Sequence, residues 1–296
     1  MTGRALALTV LGAAAILAAT YGLPGERPVG PKLSREECRH IAAKFLGLAP
    51  AELSGDERAI AREAPSDTHP PLYAFVLPYP QGPQVTEVQR YEGRAVVEVD
   101  ASTGEVRFAE FAARKYEIAG AEVGEERAKS MATAYLQRHW PHFPQARLLT
   151  ASKPWRPGRL IKPPRAPQQH FCWVVEKNGI RLGRAEVTVN LSTSEVVSFS
   201  QTYYSAEGVR PAGVTREQAI REALARAPAK ERGQAPIKDA YLATRWYKGQ
   251  IGLVWCVWLS VPSGMPARPG ERPDMREYGV TLDACTGEVL SEVKSQ

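Results

Sequence analysis

The residues whose types could do chemistry are few: five histidines, four cysteines and scattered carboxylates. His139 and His142 flank Trp140-Pro141, a spacing able to hold a metal ion. Pro141 after a helical pattern instead places them at a helix end, where histidine is favoured by the partial negative charge of the C-terminus. Cys38, Cys172, Cys256 and Cys285 show neither zinc-site spacing nor a disulfide framework. The first three read as small buried hydrophobes, and if any pair closes it is Cys256 with Cys285. Glu98, Asp100 and Glu105 are near in sequence, yet strand alternation and turn placement account for them without an acid and base pair. A GxSxG elbow, an HExxH helix, a phosphate-binding loop and a dinucleotide glycine pattern are all missing. The sequence therefore predicts a non-enzyme with no cofactor and no metal.

Binding chemistry is better represented. Ala151 to Gln169 carries five Lys or Arg and five Pro with no acidic residue, and reads as an extended, solvated loop. Arg156, Arg159, Lys162 and Arg165, with Trp155 as an anchor, are the candidate partner-binding residues. Two readings stay open: contact with an anionic lipid, wall polymer or acidic protein face, or a solubilising insertion. Tyr203, Tyr204 and Trp246 join Trp155 as aromatics that either anchor a partner or fill seams inside the protein. A formal net charge of +6 is mild, and no basic and aromatic interleaving points to nucleic acid.

The elements that must position these residues are announced by a repeat. DASTGEVRF at Asp100 returns as NLSTSEVVSF at Asn190 and as DACTGEVLS at Asp283, about 90 residues apart each time. Each copy is an alternating strand, an Asp or Asn, a small polar turn, and Glu-Val opening a second strand, which is a β-hairpin. Gly104 and Gly287 suit the positive φ of the turn, and Ser194 replaces them in the middle copy at some strain. At a like distance upstream of each hairpin stands a helical pattern: SREECRHIAAKFL, GEERAKSMATAYL and TREQAIREALARA. Ser34 with Glu37 and Thr215 with Gln218 fit a capping box. Between helix and hairpin the sequence places further strands, among them Leu72 to Leu77, Val85 to Gln89 and His170 to Glu176.

Helix, strands, and a strand ending in Asp-Ala-x-Thr-Gly-Glu-Val resemble the PepSY domain, found in propeptides of thermolysin-type metallopeptidases and in envelope proteins of spore-forming bacteria. Three linked copies behind an export segment look like the YcdB/YcdC-type repeated-domain proteins. The resemblance runs from Ser34 to Gln296; the middle copy departs most, at Asn190, Leu191 and Ser194. It implies an α+β fold of three tandem PepSY-like, cystatin-like units, each one helix packed on a small antiparallel sheet, at residues 34–118, 119–209 and 210–296. It also implies the partner class: another extracytoplasmic protein, such as a secreted peptidase or cell-wall hydrolase, that is restrained or stabilised. An anionic envelope polymer bound by the 151–169 loop is the alternative.

Residues 1–23 read as an export signal, with Arg4 ahead of an apolar run from Ala5 to Ala19. Ala18-Ala19-Thr20 is a poor cleavage triplet, so an uncleaved anchor is favoured over cleavage. Residues 24–33, rich in Pro and Gly, form a linker. The expected location is extracytoplasmic, secreted or anchored at the outer face, touching the membrane only through this segment.

Overall fold

The computed structural model describes residues 32–55, 70–78, 94–118, 120–156, 166–227, 235–262 and 275–294. The expected export segment, most of the linker and the expected strand Val85 to Gln89 lie outside the described residues. Among the described residues no helix is long and apolar enough to cross a membrane.

Three α-helices are described: α1 (Arg35–Leu46), α2 (Glu125–His139) and α3 (Arg216–Arg226). Ser34 caps α1, its hydroxyl accepting from the Glu37 N–H at 3.3 Å while Glu37 accepts from the Ser34 N–H at 2.7 Å. Thr215 and Gln218 repeat the arrangement at α3, and Gly47 closes α1 with a φ of 70°. The faces turned to the sheet are mostly small: Cys38, Ala42 and Ala43 in α1, Ala128 and Ala132 beside Leu136 in α2, Ala219 and Ala223 in α3. Small residues let the helices lie close to the strands.

The strands are β1 (Ser54–Gly55), β2 (Leu72–Leu77), β3 (Ala95–Asp100), β4 (Val106–Glu110), β5 (Ala146–Ala151) and β6 (Gln168–Lys177). There follow β7 (Ile180–Asn190), β8 (Val196–Tyr203), β9 (Ile237–Tyr247), β10 (Gln250–Pro262), β11 (Met275–Asp283) and β12 (Val289–Lys294). The repeated motif forms the hairpins β3–β4, β7–β8 and β11–β12 with one hydrogen-bond scheme. Asp100 N–H donates to Glu105 O at 2.9 Å and Gly104 N–H to Asp100 O at 2.8 Å; Asn190 with Glu195 and Ser194, and Asp283 with Glu288 and Gly287, do the same. Each Asx Oδ1 accepts two turn N–H groups, from Ser102 and Thr103, Ser192 and Thr193, Cys285 and Thr286. The residue before each helix cap, Leu33, Val123 or Val214, donates its N–H to the residue after the Asx, Ala101, Leu191 or Ala284. One turn thus fixes both the hairpin and the start of its helix.

What differs is the second atom of the Asx side chain. Asp100 Oδ2 accepts from Arg107 at 3.0 and 2.7 Å, and Asp283 Oδ2 from the Tyr247 hydroxyl at 3.1 Å. Asn190 Nδ2 instead donates to the carbonyls of Arg114 and Glu117 at 2.7 and 2.8 Å. The middle copy has an amide because its neighbours are acceptors, which a carboxylate would repel. Ser194 takes a φ of 61°, the strain expected for a non-glycine there.

The expectation of an α+β fold of three tandem units, each one helix packed on its own small antiparallel sheet, is overturned. The strands form one mixed, twelve-stranded sheet in the order β1-β2-β3-β4-β8-β7-β9-β10-β11-β12, with β6 and then β5 on the other edge of β7. The reason is edge pairing. β4 is the last strand of the first hairpin, and its open edge joins β8 through Phe108↔Ser200, Ala109↔Phe199 and Glu110↔Ser198, satisfying backbone groups that an isolated small sheet leaves bare. Beneath this seam α1 and α2 share one core: Phe45 packs on Tyr135 and Phe199, with ring centroids 6.3 and 6.2 Å apart.

The second seam is different. β7 pairs with β8 from Gly183 to Val189, and ahead of that only Ile180↔Leu242 and Arg181↔Ala243 join it to β9, in parallel. The core under α3, including Val257, Leu259, Tyr278 and Leu282, is separate from the first.

Candidate functional site

Helices cover one face of the sheet, and the other face carries polar residues with some aromatic ones. On it, Glu98, Phe108, Ser200, Glu186 and Cys172 form a row across β3, β4, β8, β7 and β6. Two clefts open here. One, of about 420 Å³, lies over Glu98, Arg107, Phe108 and Ser200; the other, of about 350 Å³, lies at the β7–β9 junction. Both are bordered by Arg184, Thr202 and Tyr204, so the two clefts adjoin along these side chains.

The junction cleft exists because a strand edge is divided. Leu182 is an extra residue in β7, since Val175 pairs with Gly183 and Glu176 with Arg181. At this bulge β8 ends and β9 begins on the same edge of β7. Thr244 stitches the split: its hydroxyl lies 2.8 Å from Tyr204 O and 3.4 Å from both Arg181 O and Leu182 O, while Tyr204 N–H donates to Leu182 O at 2.8 Å. Gly183 is required, because a Cβ would sit 2.9 Å from Thr202 O and from the Tyr203 ring.

Around the split stand three guanidinium groups. Arg181 lies over the Tyr241 ring at 3.5 Å and pairs with Asp239 at 2.9 Å. A desolvated stack of this kind is worth about 2 kcal/mol. Arg184 pairs with Glu186, and Arg245 is exposed with no ion pair among the described residues. Burial pushes the phenols of Tyr204 and Tyr241 up from their ordinary range, so both rings stay neutral. At the other cleft Arg107 joins Asp100, lies 3.2 Å from Glu105 and stacks 5.1 Å from the Tyr204 ring centroid. The arrangement is suited to holding an anionic, partly apolar chain.

The residues singled out from sequence fall elsewhere. Trp155 is exposed and bridges to Gln168 across the neck of the basic segment. Arg156 pairs with Glu122 at 2.6 Å, so its charge is already matched. Arg159, Lys162 and Arg165 lie outside the described residues. The segment is less of a free loop than expected at its ends, which belong to β5 and β6. Tyr203 is half-buried and stacks on His142 at 3.5 Å, and Tyr204 and Trp246 are half-buried at the cleft.

His139 packs between Phe45 and Tyr135, and burial lowers its pKa; His142 Nε2 lies 3.2 Å from Glu105. No group of three or more His, Cys, Asp and Glu is placed to hold a metal among the described residues. Cys38, Cys172 and Cys256 are buried, Cys285 is partly so, and all four are free thiols. Cys256 lies opposite Thr281 in β11 and forms no bridge to Cys285. Burial pushes the Cys38 thiol up to about 11 and also raises Cys172, which leaves them as packing groups rather than nucleophiles.

Sequence reasoning missed Arg181, Arg184, Arg245 and Tyr241. Their only signal is a partial alternation of polar or aromatic residues in β7 and β9, broken at the Leu182 bulge and at Ala243, which says nothing of the two strands meeting.

No family model matches this chain, and no curated protein matches it either. Among solved structures it is similar to the Bacillus megaterium YpeB C-terminal domain, at 14% identity and a TM-score of 0.42, over 90% of this chain and 100% of that one.

Proposed function

We propose that this protein is a non-catalytic binding protein of the cell envelope that holds a segment of another extracytoplasmic protein on the helix-free face of its sheet. The observation that supports the reading is the pair of adjoining clefts bordered by Arg184, Thr202 and Tyr204, lined by guanidinium groups and aromatic rings. Such a surface grips an extended chain by guanidinium pairing and ring contact and occludes it without making or breaking a bond. A secreted peptidase or wall hydrolase, the partner class that the sequence resemblance implies, would be restrained in this way. Export by residues 1–23 belongs to the same proposal.

Site-specific photo-crosslinking in intact cells tests it. A crosslinker at Thr202 should capture one discrete secreted protein, and one at Gln137, exposed on the helix side, should not. Equal capture at both positions, or recovery of wall polymer alone and only when residues 151–169 are present, would sink the proposal in favour of charge-driven adhesion.

A further inference from the structure

The junction cleft says more about its occupant than that it is extended. We infer that it receives a single carboxylate next to an apolar side chain, carried on an extended peptide of the bound protein; this rests on the binding role proposed above. The charge balance carries the first part. Asp239 neutralises Arg181 and Glu186 neutralises Arg184, so Arg245 is the one uncompensated cation of the cleft among the described residues. One spare positive charge matches one carboxylate and is a poor match for a polyphosphate chain.

The walls carry the second part. The Tyr204 and Tyr241 rings and Trp246 line the cleft with the largely buried Leu182 and Ala243, and this apolar surround favours a side chain beside the carboxylate. About 350 Å³ is at the small end of ligand sites, enough for a side chain or two but not for a folded element. The second cleft adjoins it along Arg184, Thr202 and Tyr204, which gives an extended peptide a surface to run onto and offers a small metabolite nothing more.

Isothermal titration of the full exported chain with capped peptides tests the inference, using a Glu-Leu pair within a serine-rich hexapeptide as the probe. Binding should weaken at least tenfold when Gln replaces Glu, and several-fold when Ser replaces Leu. Arg245→Glu should remove it with the near-ultraviolet circular dichroism unchanged, and Arg184→Gln should weaken it. No heat at millimolar peptide, or indifference to the Arg245→Glu change, would overturn the inference. So would tighter binding of inorganic polyphosphate with steep salt dependence.

The two proposals fail separately. A partner captured from Thr202 while the peptides fail removes only the peptide assignment. Peptides that bind as stated while Thr202 captures nothing keep the cleft as a ligand site and remove the proposed role.

Discussion

The sheet is joined twice, and the two seams teach different things. At β4–β8 the ladder is antiparallel and runs over a shared apolar layer in which Ala109 and Phe199 are fully buried. At β7–β9 two parallel pairs suffice, Thr244 adds side-chain bonds, and the cores on either side are distinct. Continuity of a sheet is therefore not continuity of a core. Both seams carry a cleft on the helix-free face: one lies over Phe108 and Ser200 of the first seam, and at the second the bulge at Leu182 and the divided edge of β7 open the other.

Several measurements would break or sharpen this contrast. The largest effect is expected from Phe199→Ala, which empties the shared layer and should cost about 3–5 kcal/mol. In urea unfolding followed by circular dichroism it should lower one transition, while Leu259→Ala lowers another. A single transition moved equally by both would mean that the short seam couples the cores after all.

Next is Asn190→Asp, which sets a carboxylate against the carbonyls of Arg114 and Glu117 and should cost on the order of 3 kcal/mol. Asp283→Asn, at the equivalent turn, should stay within about 1 kcal/mol, because the Tyr247 hydroxyl accepts as readily as it donates. Equal costs at the two turns would mean that the partner of the second Asx atom does not matter.

At the short seam, Thr244→Val removes the hydroxyl that bonds Tyr204 O and should cost about 1–2 kcal/mol. Hydrogen exchange should quicken in β9 and at Tyr204 and stay unchanged in β4. The smallest change in stability belongs to Arg245→Glu, within about 0.5 kcal/mol for an exposed residue without an ion pair. That variant separates binding from folding.

Much of the local structure was legible in the sequence. Asn178-Gly179 and Lys248-Gly249 make the β6–β7 and β9–β10 turns with positive φ at all four residues, as turn chemistry demands. Ser34 and Thr215 cap their helices, and the Asx turns recur in register because side chain and backbone within a few residues settle them. β10 is buried on both faces, Val254 and Cys256 on one and Val257 and Leu259 on the other, in keeping with the apolar run Leu253 to Leu259. Asn190 was visible as a departure, but its reason was not, since the carbonyls it serves belong to Arg114 and Glu117, more than seventy positions away in the chain.

The sequence by itself determined the hairpins, the capped helices and the spacing of the repeat, because each depends on contacts between residues close along the chain. Only the tertiary structure decided that the sheets merge, and which edges do so. Backbone edges carry no residue-specific label: β4 and β9 both offer unpaired N–H and C=O groups, and their choice of partner follows from which apolar layers can be buried together. The cleft arises from that choice, as Arg181 and Arg184 come from β7 and Tyr241 and Arg245 from β9, strands whose meeting no local pattern announces.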